Sequence, residues 1–491
     1  MRILALIAVF LLPQAKAGVN VSFDDKVLAV IPDDVKATDI FFSPDGRQVA
    51  FKAFKGGKVY VGVNKDKSPE YTAVDALRWS PTGKLAYRCS NGGTWSVVLG
   101  NQPGPALAAV GTPVFSPDGT KIAYEGSRGQ GGAQDKSAWA VFVGGQKAGD
   151  YASCGPPVFS ADGSVVAHSV RIGVAGTANR AFHTVHAMVI GGKAGPECWG
   201  LSSPIFAPKG SRVAYTIKPV ENSPNVQMVV DGKAGETFTG MGMPYWNVDG
   251  TRLACWASQD RKFYLLVDGK KGDDYLAVGD PVWSPDGKHV AHTATKAAAG
   301  ADATKPPESF VVVDGKPLEP YLAVETPTFS PDSSQVAYGA KGGPKWMMVM
   351  GDRKFDASYD VIGKPAWSPD GKKVAYYGLW KFKSIIGVND GKTEVFDAMG
   401  KDGPVWSPDS KNFAMAAQKE QKWWGIYAYR RDEPFDEVCT GPNWSPDGKK
   451  CAFGVRKGNE LIWRVFKLPV DPDDPGSAES RGTTTAPPPK K

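Results

Sequence analysis

Trp367-Ser-Pro-Asp-Gly371, running straight into Lys372-Lys-Val-Ala-Tyr-Tyr377, is the stretch whose reading decides the fold. Proline presets φ for a turn, aspartate bonds nearby backbone amides, and glycine accepts φ > 0. The aromatic residue ends one short strand and Val-Ala-Tyr opens the next. The same anchor stands at Phe42-Ser-Pro-Asp-Gly46, Trp79-Ser-Pro-Thr-Gly83, Phe115-Ser-Pro-Asp-Gly119 and Phe159-Ser-Ala-Asp-Gly163, with weaker copies at Phe206 and Trp246. It returns at Trp283, Phe329, Trp406 and Trp444. Consecutive anchors lie between 36 residues (Trp79 to Phe115) and 47 residues (Phe159 to Phe206) apart. Eleven copies at that period mark a repeat architecture.

Each unit continues in the same order. A third strand is rich in β-branched and aromatic residues, as in Ser309-Phe-Val-Val-Val313 and Trp346-Met-Met-Val-Met350. It runs into a hairpin turn such as Asp231-Gly232, Asp268-Gly269 or Asp314-Gly315. A fourth strand carries an aromatic residue: Tyr151, Phe238, Tyr275, Tyr321, Tyr359, Phe396 or Phe435. Four short antiparallel strands in about forty residues describe one propeller blade. The fold class is therefore all-β, a β-propeller of eleven four-stranded units.

These repeats resemble those of the TolB-type, WD-repeat-like β-propeller family, in which an aromatic-Ser-Pro-Asp-Gly turn precedes Val-Ala-Tyr. The resemblance covers roughly residues 20–468. It implies the fold and says almost nothing of a ligand, because propellers host many functions. The periplasmic protein that gives the family its name has an α/β domain ahead of its propeller, where this chain has only residues 18–40. That protein's role is not carried across.

The ends of the repeat array indicate how it closes. The unit after Trp444 lacks a fourth strand, while Val27-Leu-Ala-Val-Ile31 precedes the first anchor without a blade of its own. Such a mismatch predicts closure by strand exchange. Propellers typically have four to eight blades, so two rings are expected, residues 18–230 and 231–469. One oversized ring is the alternative. Residues 470–491, with Thr483-Thr-Thr-Ala-Pro-Pro-Pro-Lys-Lys491, have little to bury and read as a disordered tail.

Residues 1–17 read as an export signal: a positive start at Arg2, an apolar run from Ile3 to Leu12, and Ala15-Lys16-Ala17 as a small-x-small cleavage site. The expectation is an exported protein, periplasmic or secreted, with no membrane insertion in its mature form. The chain holds 58 basic and 51 acidic residues, a net charge of +7. It has no basic block of the kind that nucleic-acid binding needs, so no nucleic-acid partner is expected. Six cysteines permit disulfides in an exported chain, and Cys439 with Cys451 is a candidate pair across one turn.

Candidate chemistry is sparse. His289 and His292 are three apart on a strand, which sets them on opposite faces. His168 and His292 occupy a position held elsewhere by Tyr124, Tyr215 and Tyr338, so packing explains them. His183 and His186 stand where a long loop enters a third strand and remain open as a ligand pair. The turn aspartates are solitary, so capping accounts for them better than calcium. No nucleophile elbow, phosphate loop or dinucleotide fingerprint is present. No catalytic residue, cofactor or metal is assigned.

Most tryptophans fall at two repeat positions and are expected between blades. Trp199 and Trp380 fall outside both and, with His183 and His186, are the candidate partner-binding residues. The second-to-third-strand loops vary in length, at 126–138, 170–184, 216–225 and 293–308. Variable loops on a regular scaffold are where binding resides. The reading is an exported, non-catalytic scaffold that binds a protein partner through the variable-loop face. Its alternatives are a glycan lyase or hydrolase with a site in the central funnel, and a glycan-binding module.

Overall fold

The computed structural model describes residues 22–129, 138–174, 183–297, 306–355, 358–389, 391–392, 395–427, 430–431 and 433–467. The signal and tail readings, residues 1–17 and 470–491, lie outside this set. Among the described residues there is no helix long and apolar enough to cross a membrane. They form eleven small antiparallel sheets, ten of them ordered first, second, third and fourth strand as the chain runs and the last completed by the N-terminal strand. First strands of consecutive blades pack on one another, which sets them at the axis and the fourth strands at the perimeter.

The turn motif explains itself residue by residue. In blade nine the Ser368 hydroxyl donates to Asp370 at 2.6 Å and accepts from the Lys373 amide at 3.0 Å. Asp370 accepts the Lys372 amide at 3.1 Å, and Gly371 turns the chain at φ 70°. The same bonds recur at Ser43 with Asp45, Ser116 with Asp118, and Ser284 with Asp286. Hydroxyl and amide donors hold these carboxyls below the ordinary range, Asp118 and Asp162 at about 2. The aspartates of the third-to-fourth-strand hairpins cap as well. Asp231, Asp268 and Asp314 each accept the amide that opens their blade's second strand, at 2.9–3.0 Å.

Two devices lock blade to blade. Each anchor tryptophan donates its indole N–H to a first-strand carbonyl of the preceding blade: Trp79 to Phe41, Trp246 to Ile205, Trp283 to Tyr245, Trp367 to Thr328, Trp406 to Ala366 and Trp444 to Val405, at 2.8–3.1 Å. The second device is steric. The Val-Ala-Tyr strand buries its alanine toward the following blade and its large residue toward the preceding one. Ala86 meets Tyr124, Ala167 meets Tyr215, Ala291 meets Tyr338 and Ala337 meets Tyr376 in shared apolar clusters. Small residues facing large ones let the blades interdigitate in unstrained rotamers.

The blades form one ring. The expected two-ring partition is corrected by the packing at its own boundary. Val230 ends the third strand of blade five, and Ala214 and Met228 of that blade share a cluster with Trp246, Cys255 and Leu266 of blade six. The single seam lies within blade eleven. Ser22–Val30 pairs antiparallel with Glu460–Lys467 and supplies the missing fourth strand. Phe42 then packs on Trp463, with ring centroids 5.6 Å apart. Arg464, 3% exposed, clamps the seam by donating to Asp25 and Glu433 while its guanidinium lies over Phe23 and Phe435.

The candidate disulfide also falls to the packing. Cys451 stands opposite Trp444 in the cluster facing blade ten, whereas Cys439 packs into the cluster facing blade one. The two thiols occupy opposite faces of one sheet, and all six cysteines are free.

Asp25→Ala is expected to lower the melting temperature through a loss of about 1–3 kcal/mol, because Arg464 keeps Glu433 as a partner. Hydrogen exchange should quicken first in Glu460–Lys467 and leave blades five to seven unchanged. Uniform quickening around the ring would refute a localised seam.

Candidate functional site

The Ser-Pro-Asp-Gly turns and third-to-fourth hairpins occupy one face of the ring, and the second-to-third loops and inter-blade links the other. On the second face, blades one, two, six, nine and ten close this loop with a two-residue turn whose residues both have positive φ. Gly56-Gly57 and Gly92-Gly93 meet that demand at no steric cost. Asp260-Arg261, Lys381-Phe382 and Glu420-Gln421 meet it with side chains. At φ 62° Phe382 is the one large apolar residue among them, and it is 91% exposed. A bulky residue in the left-handed region costs roughly 1–2 kcal/mol, and here its ring returns nothing through burial.

A repeated ionic device holds this turn. Asp360 accepts the Lys381 amide at 2.8 Å and the ammonium of Lys345 from blade eight. One blade on, Asp397 accepts the Glu420 amide at 2.9 Å and Lys383 of blade nine at 2.7 Å. Next, Asp436 accepts the Gly458 amide and Lys422 of blade ten. In each case the lysine is the main reason the carboxyl sits below its ordinary range. Beside the turn a groove of about 730 Å³ runs between blades nine and ten. Lys364 and Tyr377 line one side and Lys401 and Asp402 the other, with Met415 among the lining residues and Phe382 at the rim.

Trp380 ends the second strand of blade nine beside this groove, 37% exposed, with Lys381 Nζ 4.7 Å from the centre of its ring. Trp199 lies on the same face, half-buried in the link entering blade five, its amide bonded to Lys218. Three blades lie between the two, so they form no common patch. His186 is half-buried on the third strand of blade four, opposite Arg171, and burial with that neighbour pushes its pKa down. His183 begins that strand, and its side chain lies outside the described residues. The 170–184 loop is in part a long hairpin, paired through to Val174 with His183. Among the described residues no His, Cys, Asp or Glu cluster could hold a metal.

Sequence reasoning missed Phe382 and the Lys–Asp pairs. A signal existed: aligned on the turn, Lys381-Phe382 falls where Gly56-Gly57 and Gly92-Gly93 stand, and a bulky residue in a glycine slot calls for a reason. His168 and His292 take up the tyrosine position as expected. They pack edge-on against Tyr151 and Tyr275, with centroids 5.1 and 6.0 Å apart.

No protein-family model matches this sequence, and no curated protein matches it. Among solved structures, the chain is similar to the β-propeller domain of the Trilobed protease from Pyrococcus furiosus, at 12% identity over 57% of this chain and 94% of that one, with a TM-score of 0.29. It is similar to Pyrococcus horikoshii acylaminoacyl peptidase at 12% identity over 55% of this chain and about half of that one (52%), with a TM-score of 0.30. It is also similar to the Dos1 propeller at 9% identity, covering 90% and 94% of the two chains, with a TM-score of 0.28. No activity passes from these to the present chain.

Burial holds His168 and His292 at a pKa of about 4, against about 6.5 for a free imidazole. Between these values the unfolded chain binds the extra protons, so their contribution is complete above pH 6.5 and is lost as pH falls toward 4. The turn aspartates at about 2 act only in stronger acid. The double variant His168→Phe with His292→Phe should flatten the fall in urea midpoint between pH 7 and pH 4.5. An unchanged slope would place the acid sensitivity elsewhere.

Proposed function

We propose that this chain is an exported, non-catalytic propeller of the TolB-like repeat class that binds a protein partner through its variable-loop face, centred on blades nine and ten. The observation that supports this reading is Phe382. It is a fully presented aromatic ring on a turn whose left-handed backbone costs stability, held in place by Asp360 and Lys345. Of the three strained non-glycine turns only this one presents a large apolar ring, and strain kept in order to expose such a ring points to use. An exposed aromatic anchor next to a groove is the usual centre of a protein interface, and the lysines and aspartates around it suit a polar rim.

Replacing Lys381-Phe382 by Asn-Gly gives the residues that this turn prefers. The variant should be more stable by about 1 kcal/mol and lose its partner. A photo-cross-linking residue at position 382, in cells that produce the protein, should capture one defined protein. The same residue at position 288, on the opposite face, should not. Equal capture from both positions, or capture that survives the Asn-Gly change when the cross-linker is moved to position 380, would overturn the proposal.

A further inference from the structure

Every blade interface has a gap on the Ser-Pro-Asp-Gly face, between the outer strands of one blade and the second strand of the next. In nine blades a second-strand ring faces this gap, blade ten has Met415 there, and between blades one and two a cavity of about 650 Å³ lined by Tyr87 remains beside the ring. The second-strand residues Tyr87, Tyr124, Tyr215, Tyr338 and Tyr376 are all nearly inaccessible there. The hydroxyls of Tyr124 and Tyr215 lie 3.0 and 2.8 Å from where a Cβ on Gly104 and Gly195 of the preceding blade would stand. Between blades eight and nine a second ring enters from the fourth strand, Phe355, 4% exposed.

Between blades five and six both positions are small. Cys255 stands where nine other blades have a ring and blade ten has Met415. Gly235 stands where blade eight has Phe355: Val229 pairs with Ala234 just as Val349 pairs with Lys354, one residue earlier in each case. A Cβ on Gly235 would meet only the Met228 carbonyl oxygen, at 3.4 Å. Here the gap is a cavity of about 610 Å³ whose apolar walls are Met228, Phe238, Met241, Trp246, Cys255 and Leu266, with no ring from the second strand in it. At its mouth Arg212 bonds Asp231 at 2.9 Å and lies 4.7 Å from the centre of the Trp246 ring.

We propose that this cavity is a binding site for a planar aromatic molecule of one or two rings. The neighbouring interfaces show that an aromatic ring fits this part of the blade packing. The walls favour the same ligand, since methionine and cysteine sulfur and two aromatic side chains all pack well on a ring. The volume lies within the range of small-molecule sites, which are mostly apolar with a few polar groups. Here the polar lining is Arg212, Asp231, Lys233, Glu236, Thr251 and Asp268, which can meet a polar substituent. The cavity opens on the face opposite Phe382, so the site is independent of the partner surface.

The test uses 2-naphthol with the intact protein. Saturable binding at one site is expected, with quenching of tryptophan fluorescence. Gly235→Phe, which copies Phe355 at an ordinary φ, should weaken binding about tenfold or more, a change of about 1.4 kcal/mol or more, and should raise the melting temperature. Peptide-resolved labelling with methyl methanethiosulfonate adds a readout on the native chain. The probe should slow modification of Cys255 and leave Cys451, buried at another interface, unchanged. If Gly235→Phe does not fold, the labelling pattern decides alone. Absence of saturable binding, binding undiminished in a folded Gly235→Phe, or equal protection of both cysteines would each overturn the site.

Discussion

The exchange of a small side chain for a large one across nearly every blade interface is the constraint on which the rest of the structure depends. An alanine at 0–1% exposure in ten blades, and at 8% as Ala452 in the last, lets the neighbouring sheet approach closely. A ring of the next blade then fills the space beside the alanine, except where blade ten supplies Met415 and blade six Cys255. The indole bonds and the capped turns are set in register by this contact. Because it is local and repeated, it fixes each blade relative to its neighbours and leaves the total number of blades free. Closure around eleven blades thus needs no special residue in the middle of the chain, only a seam at the end.

That independence explains what was legible in the sequence and what was not. The anchors, the turns and the spare strand at Val27–Ile31 could be read because each is a local demand written into residue type. Trp79, Trp246 and Trp444 were placed between blades from recurrence alone, and their indole bonds bear this out. Ring count went wrong because it rested on the usual size of propellers. The chain itself held the better argument: one missing strand and one spare strand make one seam, and a second ring needs a second. The cysteine pair failed for a related reason. Proximity across a turn says nothing about sides, and a one-residue irregularity beside Cys439 puts it on the other face from Cys451.

The candidate sites were harder to see because each is a departure from the repeat and not a motif. Phe382 is conspicuous only when set against the glycines of blades one and two. Cys255 and Gly235 define a ring-free gap only when the two small residues, on different blades, are seen to face each other. Neither residue carries chemistry by its type. In a repeat protein the functional information lies in the differences between equivalent positions, and reading it requires the register that only the structure supplies.

The seam has a further consequence for how the molecule comes into being. Asp25 and Arg464 lie 439 residues apart, and the strand that carries Asp25 pairs with nothing but the last strand made. Ten blades can assemble in sequence from local contacts, each on the one before. The first strand must stay extended and unpaired throughout, since loop closure over such a separation comes only after the local contacts are made. During that interval the array is an open arc with one exposed blade face at each end. Its vulnerability to proteolysis and self-association is therefore a matter of time, set by how soon the final strand arrives.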